Sequence, residues 1–371
     1  MVVNPSLLFV SGLFFLALSS ALYVAAFLLA TAWLRVAGGR ISHARAKQVL
    51  LAALVLPPLL AVVPTWSGAT LRHSHAGPLL EHHSAACRQV FTDVFASWNW
   101  GGSAPTAHVA GGLVNGLAWL LAALGVFYFV RLVLATVRLE RGLLPYLSPG
   151  SARLARAVAH VGRRSRISGE QFFECPIPAP YSSVLGLSRP RCILSKDLVS
   201  EATDREMEAI VAHEATHLRF RDVEASFLVG ILRCLFFYLR PVRLLANRWH
   251  EEMELACDAA AVKVVGDPLA MATAILRVSG SPSSTHQSSL LPTIAVAFAR
   301  EPAYLTARRV ESLIGQAQQP TPPPVRENRL QAVGGWILAL ALAGIGISLL
   351  LSAQAVCYAH CSLEAVARLL P

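Results

Sequence analysis

The chain has 371 residues, of which 54% are hydrophobic and only 15% are charged, and its net charge is +10. A soluble globular domain carries about a quarter of charged residues, so this composition argues against a soluble enzyme and favours a membrane protein. The positive charge does not require a nucleic-acid partner, because basic loops beside anionic lipid account for it. We therefore expect the chain to contact a lipid bilayer and not to bind nucleic acid directly.

Four long runs without a charged residue predict four membrane-spanning helices. They are residues 6–34, 49–66, 109–130 and 332–353, and each is close to or above the roughly 18 to 20 apolar residues that cross a bilayer core. Pro57 and Pro58 interrupt the second run, which predicts a kinked span. The first run is too long for a signal peptide and no positive region precedes it, so we expect it to remain in the protein.

Basic residues flank these runs unevenly, and the asymmetry predicts the orientation of the chain. Residues 35–48 carry four basic residues and no acidic one, and residues 131–166 carry eight arginines against Glu140. The loop between the second and third runs has two basic and two acidic residues. The positive-inside rule therefore places the N-terminus outside a bacterial-type inner membrane and residues 131–331 in the cytoplasm.

This orientation divides the chain into three parts. Residues 1–130 hold three spans, with a short cytoplasmic loop and a longer external loop, and residues 332–371 hold the fourth span and a short external tail. Residues 131–331 are the size of one ordinary domain and are expected to form a cytoplasmic domain with a linker. The histidines near residues 73–83 belong to the external loop, where either a solvated polar loop or a second metal site fits their pattern.

The cytoplasmic domain is predicted to combine helices with a small sheet. It begins with a basic helical stretch through Arg166, and residues 172–199 alternate short apolar runs with proline and glycine, which predicts a β-hairpin or small sheet. Thr203 stands three residues before Glu206, a capping box that predicts the start of a helix.

Several later segments complete the domain. Residues 227–239 are apolar but only 13 in number and interrupted by Arg233, which predicts a buried, interfacial or re-entrant helix and not a span. A helix is expected from residue 242 to residue 265, ending at Gly266. Residues 279–289 are a Ser-rich linker, and residues 316–324 are predicted to be an extended tether to the last span.

The seven cysteines contain no C-x-x-C pair. Four of them fall in the predicted cytoplasmic part and are expected to be free, packed thiols: Cys175, Cys192, Cys234 and Cys257. The other three fall outside, where one disulfide can form, but their odd number does not assign a pair: Cys87, Cys357 and Cys361.

The sequence from His213 to His217 reads H-E-x-x-H. Residues four apart lie on one face of a helix, so both imidazoles can bind one Zn²⁺ while Glu214 acts as the general base towards water. This spacing predicts a zinc-dependent hydrolase that attacks a peptide carbonyl.

The third zinc ligand must come from further along the chain, because Phe220 stands where a metzincin has glycine. Residues 251–258 offer Glu251, Glu252 and Glu254. Glu254 lies one helical turn before Asp258 among small residues, so we assign Glu254 to zinc and expect Asp258 to orient a ligating imidazole. Asp222 either braces the site or caps the next helix, and the sequence does not decide between the two.

These motifs resemble the BlaR/MecR-type family of membrane zinc metallopeptidases, which are related to the HtpX and CAAX-prenyl proteases. The resemblance rests on the H-E-x-x-H helix, on Glu254-Leu-Ala-Cys-Asp258, and on residues 184–194, and it covers roughly residues 1–275 in layout. It implies that His213, His217 and Glu254 bind zinc and that Glu214 is the base. The implied fold is mainly α: a polytopic helical membrane protein with a cytoplasmic α+β gluzincin domain.

The resemblance also implies a function and marks one departure. Antirepressor receptors of the family carry a penicillin-binding sensor after the fourth span, whereas only residues 354–371 remain here, so β-lactam sensing is not expected. We expect cleavage of a cytosolic protein, by resemblance a transcriptional repressor, and of the chain itself. The alternatives are a non-catalytic membrane receptor or scaffold and a membrane-protein quality-control protease. The G-x-x-x-G at residues 112–116 fits packing within the chain or a homodimer equally well.

Overall fold

The computed structural model describes residues 5–37, 41–71, 104–165, 169–177, 180–279 and 303–318. The predicted fourth span, residues 72–103 of the external loop, the three external cysteines and residues 280–289 of the Ser-rich linker lie outside these residues. The described part is mainly helical with one small sheet. Its helices are α1 (Pro5–Ala37), α2 (His43–Leu71), α3 (Ala104–Leu143), α4 (Ala152–Ser165), α5 (Lys196–Glu201), α6 (Asp204–Phe220), α7 (Asp222–Leu235), α8 (Arg240–Val265), α9 (Pro268–Ser279) and α10 (Ala303–Gln318).

Three of the described helices are long and apolar enough to cross a membrane, in agreement with the first three predicted spans. The candidate spans are Leu18–Ala37, His43–Val62 and Leu120–Tyr146. Helix α2 continues through Pro57 and Pro58. Helix α3 extends 13 residues past the predicted end of its span, since residues 131–143 contain no proline and are rich in leucine, arginine and other helix formers.

The sheet has four strands in the order β1-β2-β4-β3. Its strands are β1 (Ser148–Pro149), β2 (Phe172–Cys175), β3 (Ser182–Leu185) and β4 (Arg191–Ser195). Strands β2 and β4 are parallel, while β1 and β3 pair antiparallel at the two edges. The sequence predicted this small sheet except for the two-residue strand β1, which is too short to leave a pattern.

Helix α6 begins as the capping box predicts. The Thr203 side chain accepts from the Glu206 amide, and the Glu206 carboxylate accepts from the Thr203 amide, which satisfies two amides that a helix start leaves unpaired. The helix ends at Arg221, whose left-handed φ of 56° reverses the chain directly into α7.

Helix α7 is the short apolar segment that the sequence predicted not to span. It has 14 residues and packs against α3, where Gly230 lies beside the Leu132 side chain. Helix α8 follows and ends at Val265, as predicted, with Gly266 (φ 78°) as its cap two residues before α9 begins.

Two large hydrophobic cores and a small third one hold the described residues together, and the small one joins the end of α3 to β2 and β4. The first surrounds α6 and joins it to the sheet, α4, α5, α9 and α10. The second joins the membrane spans α1 and α2 to α7 and α8, with Trp249 of α8 fully buried against them. The predicted cytoplasmic helices therefore pack on the membrane spans themselves and share one core with α1 and α2.

The sequence missed α10, and the predicted tether from residue 316 was wrong at its start, because residues 316–318 belong to this helix. Leu305, Arg309 and Leu313 recur every four residues on the buried side of α10. That stripe packs the helix against α8 and α9, so burial and not extension decides the conformation of its last turn.

Candidate metal centre

Helix α6 carries His213, Glu214 and His217 on its buried side. The two imidazoles are one turn apart, with 3.1 Å between their Nε2 atoms and their rings nearly perpendicular. Glu214 is 5% exposed and His213 is 7% exposed. The helical spacing therefore converges two imidazole nitrogens on one point, as the sequence predicts.

Helix α8 brings Glu254 to the same point. Its carboxylate oxygens lie 3.4 Å from His213 Nε2 and 3.8 Å from His217 Nε2. The three ligand atoms all lie within 4.8 Å of one another. No other residue is needed to form a three-ligand cluster.

The neighbouring glutamates of α8 point to other partners. Glu251 pairs with Arg248 and Arg308, and Glu252 is buried against His43. Of the three glutamates considered, Glu254 is therefore the one whose carboxylate lies in a group with His213 and His217 that could hold a metal ion.

A carboxylate lies behind each imidazole. Asp258 Oδ1 is 2.9 Å from His213 Nδ1, and Asp222 Oδ2 is 3.0 Å from His217 Nδ1. A carboxylate only accepts hydrogen bonds, so the hydrogen bond between His217 and Asp222 places a proton on His217 Nδ1 and leaves Nε2 towards the cluster, whereas Asp258 and His213 Nδ1 form a close ion pair. Asp222 is also the first residue of α7, so one residue both holds the His217 ring and begins a helix.

A cation lies behind each of these carboxylates. Arg309 of α10 donates to both oxygens of Asp258 at 2.7 Å and lies 3.0 Å from Glu254 Oε2. Lys47 of α2 donates to Asp222 Oδ1 at 2.5 Å. Both aspartates are at most 2% exposed, and buried carboxylates need such partners.

The electrostatics of the cluster suit a cation. Burial by itself would raise the pKa of Glu254, but Arg309 and the two histidines hold that pKa well below its usual range. Burial would lower the pKa of His213, whereas Asp258 and Glu254 raise it to about 10. The surroundings thus keep Glu254 ionised and stabilise positive charge at His213.

Helix α6 packs against β3 and β4 of the sheet. Burial, together with the charge of Glu214, raises the pKa of Tyr181 to about 12 and raises the pKa of the Cys192 thiol well above its usual value. Tyr181 directly precedes β3, and Cys192 lies in β4. The charge of Glu214 is therefore felt at the part of the sheet that packs on α6.

Two imidazoles and one carboxylate are the donor set of a catalytic zinc site with an open fourth position. The residues present fit zinc, because their nitrogen and oxygen donors converge and their backing carboxylates fix the rings. A second group, which shares His217 with the first, consists of His217, Asp222 and Cys257. Burial raises the pKa of the Cys257 thiol well above its usual value, so this group reads as a hydrogen-bonded network around Asp222.

The sequence did not identify Lys47 or Arg309. Arg309 could have been noticed, because it lies on the buried stripe of an amphipathic helix, where a charged side chain requires a buried partner. The sequence does not distinguish Lys47 from other basic residues near a span, because its role depends on contact with a residue 175 positions away.

Comparison with known proteins gives evidence that is independent of this geometry. The family described as BlaR1 peptidase M56 matches residues 16–308. The chain is 25% identical over 173 residues to Protease HtpX homolog 1 of Saccharolobus solfataricus, covering 44% of this chain and 55% of that protein. It is 30% identical over 84 residues to Regulatory protein BlaR1 of Bacillus licheniformis, covering 23% of this chain and 14% of that protein.

A plant protein is also similar. The Plastoglobule-localized metallopeptidase 48 of Arabidopsis thaliana is 27% identical over 116 residues, covering 29% of this chain and 33% of that protein. The chain thus spans from about one seventh to about half of the length of these three relatives. Because the family match extends over most of its length, the chain belongs to the BlaR1 peptidase M56 family.

Proposed function

We propose that this protein is a zinc-dependent membrane endopeptidase that cleaves a protein segment reached from the cytosol. The observation that carries the proposal is the convergence of His213, His217 and Glu254, with the ligand atoms within 4.8 Å and Glu214 beside them. Membership of a peptidase family supports hydrolysis of peptide bonds as the reaction.

The residues of the cluster divide the chemistry between them. Zinc, when bound, polarises the peptide carbonyl and makes water more acidic. His213, His217 and Glu254 would hold the ion, while Asp258 and Asp222 hold the imidazoles in one orientation. Glu214 accepts the proton that water loses on attack and delivers it to the leaving amine.

Strand β3 offers a place for the substrate. Within the described residues β3 lies at the edge of the sheet and pairs only with β4. An extended peptide can add to such an edge through backbone hydrogen bonds. Helix α6 packs against β3, so a peptide bound along β3 would lie beside the helix that carries the base and two of the zinc ligands.

The position of the cluster supports access from the cytosol. His43 and Lys47, at the start of α2, contact Glu252 and Asp222 beside the cluster. Both residues lie within residues 35–48, which carry four basic residues and which the positive-inside rule places in the cytoplasm. The substrate would then be a cytosolic protein, and by family resemblance a transcriptional repressor and the chain's own linker at residues 279–289.

The test compares metal content and cleavage in four proteins. We expect about one zinc per chain in the wild type and in Glu214→Gln, and a severe loss of zinc in Glu254→Ala. Glu214→Gln should lose at least about a hundredfold in cleavage, because it changes the base and keeps the ligands. Zinc is measured by elemental analysis of the purified chain, and cleavage by mass spectrometry of fragments in the membrane fraction.

Glu251→Ala is the matched control, since Glu251 lies on the same helix and contacts Arg308 outside the cluster. Loss of zinc in Glu251→Ala but not in Glu254→Ala would contradict the ligand assignment. Equal fragments in wild type and Glu214→Gln would assign the cut to another protease. Zinc binding without any cleavage would favour the alternative of a non-catalytic receptor or scaffold.

A further inference from the structure

Lys47 lies at the junction of the membrane region and the ligand cluster. It stands on the first turns of α2, a helix whose residues His43–Val62 form a candidate span. Its side chain is only 12% exposed, and its ammonium contacts Asp222, whose side chain is 3% exposed. Two contacts, Lys47 with Asp222 and Asp222 with His217, thus connect a membrane-spanning helix to an imidazole that would hold zinc.

The packing of α2 fixes the position of this lysine. Leu50 and Leu54, three and seven residues further along α2, are fully buried in the core shared with α8. One turn before Lys47, His43 Nδ1 lies 2.6 Å from Glu252 Oε2 of α8. Helix α2 is therefore anchored on both sides of Lys47, so its rotation or translation is coupled to that of α8.

The lysine is also held at the end of α6. Its ammonium lies 4.9 Å from the centre of the Phe220 ring, within the range of a cation–π contact. Phe220 is the last residue of the helix that carries both histidines. Lys47 thereby contacts the ends of α6 and α7 at the point where the chain turns between them.

Asp222 needs this cation to keep its role. Asp222 is buried, and its two oxygens contact the Lys47 ammonium and His217 Nδ1. The contact from the Cys257 thiol at 3.5 Å is a weak hydrogen bond that carries no positive charge. Without Lys47, Asp222 would lose the cation that holds one of its oxygens and would be free to turn towards solvent, so His217 would lose its fixed orientation.

We propose that Lys47 is a positioning residue of the metal centre, so that the second membrane span completes the zinc site through Asp222 and His217. This inference rests on the proposed zinc-dependent function. It assigns α2 a part in metal binding besides that of an anchor. Loss of a group behind a ligating histidine typically weakens metal binding about 10- to 100-fold, and we expect Lys47→Met to fall in that range.

The experiment uses the full chain purified in detergent, stripped of metal and titrated with zinc against a chelator. Lys47→Met should bind zinc at least about tenfold more weakly than the wild type, and Lys47→Arg should recover most of the affinity. The absorption spectrum of the Co²⁺-loaded protein reports ligand geometry, and it should change in Lys47→Met only. Lys263→Met is the control, because Lys263 is an exposed lysine of α8.

A double variant tests the route of the effect. If Lys47 acts through Asp222, Lys47→Met should add little to the loss caused by Asp222→Asn. Should Lys47→Met not be recovered as folded protein, Lys47→Gln replaces it, because glutamine keeps a donor of similar reach without the charge.

Wild-type zinc affinity and an unchanged Co²⁺ spectrum in Lys47→Met would overturn the inference. Additive losses in the double variant would overturn it as well. Both results leave the proposed function standing as long as Glu254→Ala loses zinc. A wild-type chain that binds no zinc would instead contradict the proposed function itself.

Discussion

The metal centre contains two series of contacts, here called arms, that follow the same order of groups but end in different cations. The first arm runs from His213 through Asp258 to Arg309, and the second runs from His217 through Asp222 to Lys47. In each arm an imidazole is backed by a buried carboxylate, and the carboxylate by a cation from a distant part of the chain. The arms differ in the kind of cation and in the helix that supplies it.

In the first arm, several contacts fix the position of the cation. The Arg309 guanidinium makes two contacts of 2.7 Å with Asp258 and a third of 3.0 Å with Glu254, so it joins the backing carboxylate to a ligand. It comes from α10, which packs on α8 and α9. The second arm has a single ammonium from a membrane span, whose position depends on the packing of α2.

This difference predicts that the first arm contributes more to stability and the second more to communication with the membrane. A fork of planar donors fixes a carboxylate in one orientation, whereas an ammonium fixes only the position of a charge. A shift of α2 relative to α8 would therefore alter the second arm while leaving the first intact.

The largest effect is expected for Arg309→Met. It leaves Asp258 and Glu254 buried beside each other without their cation, which costs about 3 to 5 kcal/mol when one partner of a buried pair is removed. We expect a clear fall in the free energy of unfolding and loss of most of the zinc. Thermal unfolding in detergent and elemental analysis measure the two.

Arg308→Met provides the matched control on the same helix. Arg308 contacts Glu251 and Glu252, its side chain is 35% exposed, and it does not contact Asp258 in the described residues. Both glutamates keep Arg248 as a partner and Glu252 also keeps His43, so this variant should stay closer to the wild type than Arg309→Met. Equal losses in the two variants would show that α10 acts through packing alone.

How much of this site the sequence predicts depends on how local each contact is. His213, Glu214 and His217 lie within two turns of one helix, so their spacing alone brings them together. The four-residue spacing of Glu254 and Asp258 likewise places both on one face of α8. The packing of α8 against α6 is not local. It was expected because the site requires a third zinc ligand and because the motifs resemble a known family.

The cations behind the site escaped prediction for the same reason. The partners of Lys47 and Arg309 lie far away in sequence, and which charge reaches which carboxylate is decided by helix packing. Asp222 shows the limit most clearly, because its position at the start of α7 fitted two roles and only the contact with His217 distinguishes them. The fold divides similarly: long charge-free runs predicted the first three spans, and a helix was predicted over the segment of α8 up to Gly266, but α10 was not predicted.

An exchange of the two kinds of cation sharpens the comparison. Arg309→Lys keeps the charge and loses the fork, so we expect a zinc affinity about tenfold lower, because the backing carboxylate is no longer fixed. Lys47→Arg should cost less than about threefold, since the second arm requires charge more than geometry. Zinc titration of the two variants side by side gives the ratio, and equal losses would mean that the arms are constructed alike.

The smallest effect is expected for Cys257→Ala. The thiol lies 3.4 Å from His217 Nδ1 and 3.5 Å from Asp222 Oδ2, so its position alone is compatible with a metal ligand. Burial raises the pKa of this thiol well above its usual value, with Asp222 adding to the shift, and a neutral thiol is a weak donor and a poor ligand.

Removal of this thiol should therefore lower zinc affinity by less than about threefold, while Asp222→Asn lowers it at least about tenfold. Competition titrations with zinc separate the two, and the Co²⁺ spectrum of Cys257→Ala should match the wild type. A loss in Cys257→Ala as large as in Asp222→Asn, with a changed spectrum, would make Cys257 a ligand. The metal would then lie on the Nδ1 side of His217, and the second arm would be a binding site and not a brace.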